Sequence, residues 1–339
     1  MIFRKPELTM ATILTGCEAG RMQSVGTMQV IPLLSELTDH RFVSPLGAEV
    51  GTSGYGVVVL RNATSRSVLV PAHAAYVVEQ AAQDHALAKV DIVPARHEVK
   101  FRDAMCVQQT QGGLIRAGSH RFAILPVALR RAVHASTSKD YSRLWKPIRD
   151  FKAECGLTGA GNLTDFFRAF RRQLDEFVAE FETVPGQVGA IVLIGGRVVG
   201  VERAPSHEYW RDVWEPLIRE CYGSHAIREA AVADDGDVSF RAPIRREGLT
   251  DLDDLEAALM VAEAEENERA RATVRELIGL PFAARRESVC EEVGLYRVEN
   301  DRLQGQIARE GERVLYASLV TSAKWERDRA WTAAEPFEI

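Results

Sequence analysis

The residues of this 339-residue chain whose types and spacing could do chemistry are side-chain amides grouped near one histidine. Gln83-Asp84-His85 sets an imidazole beside a carboxylate and an amide. There His85 could act as a general base, with Asp84 or Asp91 as its carboxylate partner. Gln108-Gln109-Thr110-Gln111-Gly112-Gly113 follows an apolar run. Amides at the end of a strand can recognise a ligand through directional hydrogen bonds, each offering two donors and an acceptor. The candidate ligand-binding residues are therefore Gln83, Asp84, His85, Gln108, Gln109 and Gln111. The competing reading of the second segment is a turn that ends a strand.

Other chemistries lack their signatures. Gly156-Leu157-Thr158-Gly159-Ala160-Gly161-Asn162 precedes a helix but has neither the spacing nor the lysine of a phosphate loop, and reads as a connector. Asp234-Asp235-Gly236-Asp237 lacks the glutamate of a calcium loop and reads as a surface turn. The eight histidines show no HExxH or HxH spacing, so no metal is expected. There is no GxSxG elbow. The five cysteines, Cys17, Cys106, Cys155, Cys221 and Cys290, are scattered without a CxxC pair and read as reduced thiols. Cys106 lies in an apolar run, which suits a buried thiol better than a nucleophile. Trp210 and Trp214 share a helix face and read as core, with nucleobase stacking as the alternative. No cofactor is identified.

These groups need elements to hold them. Hydrophobic residues make up 46% and charged residues 27%, which suits a folded chain of about two domains. The net charge of -6 argues against a nucleic-acid partner bound through phosphates. No apolar run approaches the roughly 20 residues of a membrane span, and no signal-peptide core follows the basic N-terminus. A cytoplasmic location is expected.

The pattern predicts an α+β fold. Residues 1–135 form a β-rich half, a sandwich or open barrel, with strands at 27–33, 55–60, 67–71, 90–94 and 104–108. Residues 72–89 fit a helix by alanine content and a strand-and-turn by resemblance. Residues 136–325 form an α+β half. It holds a helix over 142–155 interrupted at Pro147, and a long helix from Thr164 whose stripe runs through Phe166, Phe170, Leu174 and Phe177. A hairpin, Gln187 to Val201, turns at Gly195-Gly196. Ser206 caps a helix carrying the two tryptophans. A charged helix over 250–278 is an insertion with a solvated face, a partner helix being the alternative. A C-terminal β-meander spans 294–319, and residues 326–339 form a tail.

Several segments resemble one bacterial family, the domain associated with ADP-ribosylglycohydrolases and rhodanese-like phosphatases (ARPP). In the first half the likeness rests on Val25 to Leu33, Val68 to Pro71, Glu79 to Leu87, Val90 to Ala95 and Met105 to Gly113. In the second it rests on Gly186 to Val192, Gly195 to Gly200 and Trp214-Glu215-Pro216-Leu217-Ile218-Arg219. It covers about two thirds of the chain and leaves out residues 250–293. Where the family carries arginine after Gln-Asp, this chain has His85. Where it carries glutamate, glycine, arginine and tryptophan, this chain has Gln108, Thr110, Gln111 and Gly112. The resemblance implies an accessory or ligand-binding role near NAD or ADP-ribose metabolism, with a nucleotide or ADP-ribose-like small molecule as partner. A self-assembling structural protein and an enzyme acting on such a nucleotide are the alternatives. Homo-oligomerisation is compatible with each.

Overall fold

Gly195 and Gly196 both adopt left-handed backbone, at φ +57° and +70°, as a primed two-residue turn requires. They join Gln187–Ile194 to Arg197–Arg203, and this hairpin lies inside a nine-stranded antiparallel sheet. The computed structural model describes residues 8–78, 84–114, 120–232 and 251–325. On one side of the hairpin lie Met28–Leu34 and then Glu18–Ala19, with Gln23–Val25 also paired to Met28–Leu34. On the other side lie Arg313–Thr321, Leu303–Glu310, Val293–Glu299 and Ala283–Cys290, in that order. The sheet thus joins strands from both sides of residue 135.

Around the hairpin both faces of this sheet are covered. Ala190, Val192, Ile194 and Val30 enter a core shared with the β-rich part and most of the helices. Ile191, Leu193, Ile31 and Leu33 face the other way. There they meet Met10 and Ile13 of the helix Met10–Ile13, and Ala270 and Leu277 of the long helix Leu252–Ile278. Double coverage explains why Ile191-Val192-Leu193-Ile194 reads as an unbroken apolar run. Each fully buried side chain of this size contributes about 1.5–3 kcal/mol.

Three smaller sheets build the β-rich part. Phe42–Val43, Ser67–Val70 and Asp91–Val93 form one; Ala48–Gly54, Val57–Asn62 and Glu98–Phe101 form the second. The third contains Met105–Cys106, His85–Ala86, Ala74–Val77 and Arg121–Ile124. Residues 72–89 therefore follow the strand reading, with residues 79–83 outside the described set.

The helices require two corrections. Trp145–Glu154 is not interrupted at Pro147, because the proline falls in the first turn, where its missing N–H has no intrahelical acceptor to satisfy. The helix expected from Thr164 is two helices, Leu163–Ala169 and Arg171–Glu180, broken at Phe170. The apolar stripe survives the break, and the Phe170 ring packs back on Phe166 at 4.8 Å. Ser206 does cap His207–Pro216, accepting the Tyr209 N–H at 3.2 Å. Trp210 and Trp214 are buried core residues. The meander begins one strand earlier than expected, at Ala283–Cys290. The acidic turn Asp234 to Asp237 and the tail 326–339 lie outside the described residues. Among the described residues no helix is long and apolar enough to cross a membrane.

Candidate functional site

The third small sheet brings together side chains that the sequence keeps far apart. Cys106 pairs opposite His85, His85 opposite Tyr76, and Tyr76 opposite Phe122. Directly opposed residues of neighbouring strands project to the same face, so these four make one transverse row. Cys106, His85 and Tyr76 are all inaccessible to solvent.

His85 is held by the backbone of the turn that joins Ala48–Gly54 to Val57–Asn62. The Gly56 N–H donates to its Nε2 at 3.2 Å, which places the proton of the neutral ring on Nδ1. Gly56 sits at φ +73°, and a Cβ there would come within 2.9 Å of the Tyr141 Cβ. Glycine is therefore needed for both its conformation and its contact. Asp84 accepts the Val78 N–H at 2.6 Å, so its carboxylate clasps the two ends of the segment 79–83. Its carbonyl accepts the Val107 N–H at 2.9 Å. Asp91 accepts the Ile92 N–H at 2.9 Å and lies in a different sheet.

Two of the three candidate amides after Cys106 are tied down, Gln108 to the helix Leu163–Ala169 and Gln109 to the glycine loop. Gln108 is buried, and its Oε1 accepts the Thr164 hydroxyl at 2.9 Å. Gln109 Oε1 accepts the Gly161 N–H at 2.8 Å and the Arg149 Nη1 at 2.9 Å. Thr110 and Asn162 bond reciprocally, at 3.1 and 2.8 Å. Gly161 packs directly on the Trp145 backbone, leaving no room for a Cβ. The glycine loop is thus a connector stitched to the amide segment. Gln111 differs: its buried Oε1 has no hydrogen-bond partner among the described residues. Gln83 lies outside them.

Aromatic rings that the sequence did not single out stand at the outer side. Tyr55, 53% exposed, stacks on Tyr141 with centroids 5.7 Å apart, and Tyr141 meets Trp145 edge-on at 5.7 Å. A Cβ on Gly112 would lie 3.6 Å from the Tyr55 hydroxyl, so the tyrosine reaches the Gln111-Gly112 backbone. Arg149 is one helical turn beyond Trp145. Further in, His120 packs edge-on against Tyr76 at 5.3 Å. The Tyr76 hydroxyl and His120 Nδ1 are also without partners among the described residues. The available sequence signal was the i, i+4 spacing of Tyr141, Trp145 and Arg149; nothing local marks Tyr55, Tyr76 or His120.

The electrostatics favour neutral groups. Burial raises the pKa of the Tyr76 hydroxyl and of the Cys106 thiol, in the latter case against opposing hydrogen bonds. Burial lowers the pKa of His120. A protonated thiol and a neutral phenol can donate hydrogen bonds but are poor nucleophiles. Among the described residues no group of three or more His, Cys, Asp or Glu side chains could hold a metal ion. All five cysteines are free. The arrangement offers stacking surface, neutral donors and acceptors, and the Arg149 guanidinium, held by Gln109.

A family model described as ARG and Rhodanese-Phosphatase-superfamily-associated Protein domain matches residues 16–320. The match includes residues 250–293, which the sequence resemblance left out. No curated protein and no solved structure matches the chain.

Proposed function

The chain belongs to the ARPP-1 family, and from its association with ADP-ribosylglycohydrolase and rhodanese-phosphatase systems we propose that it is an accessory protein binding an ADP-ribose-type nucleotide. The observation that carries this reading is the Tyr55–Tyr141 stack with Tyr55 exposed; the Tyr76 hydroxyl, Gln111 Oε1 and His120 Nδ1, which have no hydrogen-bond partner among the described residues, support it. An adenine stacked on an aromatic ring gains about 1–3 kcal/mol. The buried neutral groups suit ribose hydroxyls, which both donate and accept. Arg149 can meet a phosphate at the rim, where a guanidinium fits two oxygens at once. His85 in place of the family's arginine leaves the interior of the site poor in charge, which suits binding better than proton transfer. The acid–base alternative needs His85 Nε2 free, and Gly56 occupies it.

Calorimetric titration with ADP-ribose, NAD and AMP tests the proposal. Binding is expected for ADP-ribose and should weaken at least tenfold in Tyr55→Ala, the loss of about 1.4 kcal/mol of stacking. Absence of heat and of any melting-temperature shift across all three nucleotides at millimolar concentration would rule it out.

A further inference from the structure

The long helix Leu252–Ile278 is anchored by its second half. Its buried residues, Ala270 and Leu277, both lie there. The first half instead exposes Leu252, Leu259, Met260 and Val261, at 80, 40, 65 and 57%. Leu252, Leu255 and Leu259 follow the i, i+3, i+7 spacing of one helical stripe. Such a stripe is normally laid against something.

The helix segment that carries the stripe has a single sign of charge of its own, and three of its carboxylates are already engaged: Glu263 by Arg21, Glu266 by Gln29 and Glu268 by Arg275. Residues 252–268 contain seven acidic side chains, from Asp253 to Glu268, and no basic one; the first basic residue is Arg269. A solvated helix face commonly mixes signs. The helix dipole explains carboxylates in the first turn, Asp253 and Asp254, but its effect has faded by Glu263 to Glu268. A groove of about 700 Å³ runs from Leu259, Ala262 and Glu266 to Gln23 and Val25 on the body. Arg21 closes one side of it through Glu263 at 2.6 Å. Stripe and groove together offer a seat about 25 Å long for a second helix, at 1.5 Å per residue over the 17 residues.

We propose that this acidic, leucine-striped face docks a basic amphipathic helix of a partner protein. The partner's apolar face would cover Leu252, Leu255 and Leu259, and its lysines or arginines would meet the carboxylates beside the first half of the stripe, Asp253 and Glu256. A second copy of the same face is the poorer occupant, because it sets carboxylates against carboxylates in either orientation. The inference does not depend on nucleotide binding.

The probe is a fluorescent 18-residue leucine/lysine peptide with helical amphipathic spacing, compared with a scrambled peptide of the same composition. Anisotropy of the full chain should show saturable binding of the patterned peptide. Binding should fall at least about tenfold in L252Q/L255Q/L259Q, which keeps every carboxylate. It should also weaken between about 50 and about 300 mM salt, as a roughly twofold shorter Debye length screens the charges. Equal binding of the scrambled peptide by the unmodified chain would show attraction by charge alone and overturn the proposal, whatever the variant does. So would absence of binding. Mass measurement gives the remaining outcome: a dimer that strengthens with salt and dissociates in the leucine variant would assign the face to a second copy instead.

Discussion

Arg130 and Glu202 pair at 2.8 Å inside the protein, with the arginine side chain fully buried and the carboxylate nearly so. The pair joins the helix Val127–Ala135 to the nine-stranded sheet. Glu202 opposes Ser318, Ser318 opposes Gln306, and Gln306 opposes Arg297, so a polar row crosses four strands on the face toward that helix. Arg130 also donates to the Ser318 hydroxyl at 2.5 Å, and the Tyr222 hydroxyl donates to Glu202 at 2.7 Å. Burial works most strongly against the Arg130 charge, but Glu202, by attraction and hydrogen bonding, together with Cys221 and Tyr222 outweighs it and holds the pKa well above the ordinary value.

Removing one partner should therefore cost far more than removing both. Glu202→Gln leaves a buried guanidinium without its counter-charge and is expected to destabilise the fold by about 3–5 kcal/mol. Replacing both residues, as Arg130→Met with Glu202→Leu, should recover most of that loss. Urea unfolding of the two variants decides it. Equal costs would mean that the pair is not electrostatically coupled.

The thiols give a second prediction. Burial pushes Cys155 up to about 12 and Cys221 up to about 11, and raises Cys106 as well. At pH 8 a thiol of pKa 11 is thiolate about once in 1,000 molecules, and only the thiolate alkylates. Iodoacetamide should modify half-buried Cys17 and Cys290 first in the native protein, and all five cysteines in denaturant. Peptide mass mapping reads this directly. Early labelling of Cys106 would reopen the nucleophile reading.

How much was legible depended on how local each feature is. The Gly195-Gly196 hairpin, the Ser206 cap and the Trp210–Trp214 face are set within a few residues, so propensity and periodicity suffice. Ala283–Cys290 escaped because it is a polar, largely exposed strand at the edge of its sheet, without the alternation that marks a half-buried strand. The break at Phe170 has no glycine or proline to announce it. The row Cys106–His85–Tyr76 depends on register between strands as short as two residues, and sequence fixes register poorly there. Polar Gln108 and Gln109 looked free for a ligand because the groups they bond, Thr164 and Gly161, lie more than 50 residues away.

Acid should weaken the fold through buried histidines. Burial holds His73 and His225 well below the usual 6.5, and nearby arginines, Arg130 and Arg131 respectively, lower them further. The unfolded chain takes up these protons near pH 6.5 while the folded chain refuses them, so stability falls as pH drops below that value. Each histidine contributes a slope of about 1.4 kcal/mol per pH unit in that range. Urea midpoints at pH 7.5, 6.5 and 5.5 should fall more gently for His225→Gln than for the unmodified chain. Identical slopes would remove His225 from the account.

The candidate site makes its sharpest demand at Gly56. Its left-handed backbone is unfavourable for any residue with a Cβ, and the added methyl would press on Tyr141 and, at 3.3 Å, on the Ala104 carbonyl. Gly56→Ala should cost about 1–3 kcal/mol in urea unfolding. Displacing Tyr141 would also disturb the Tyr55 stack and loosen the N–H that holds His85, so ADP-ribose affinity should drop in the same variant. Gly112→Ala is the control, since its Cβ would meet only the Tyr55 hydroxyl, at an ordinary 3.6 Å. That variant should stay within about 0.5 kcal/mol of the unmodified chain. If Gly56→Ala loses stability yet binds nucleotide with unchanged affinity, the aromatic stack is scaffold, and the ligand must be sought away from Tyr55 and Tyr141.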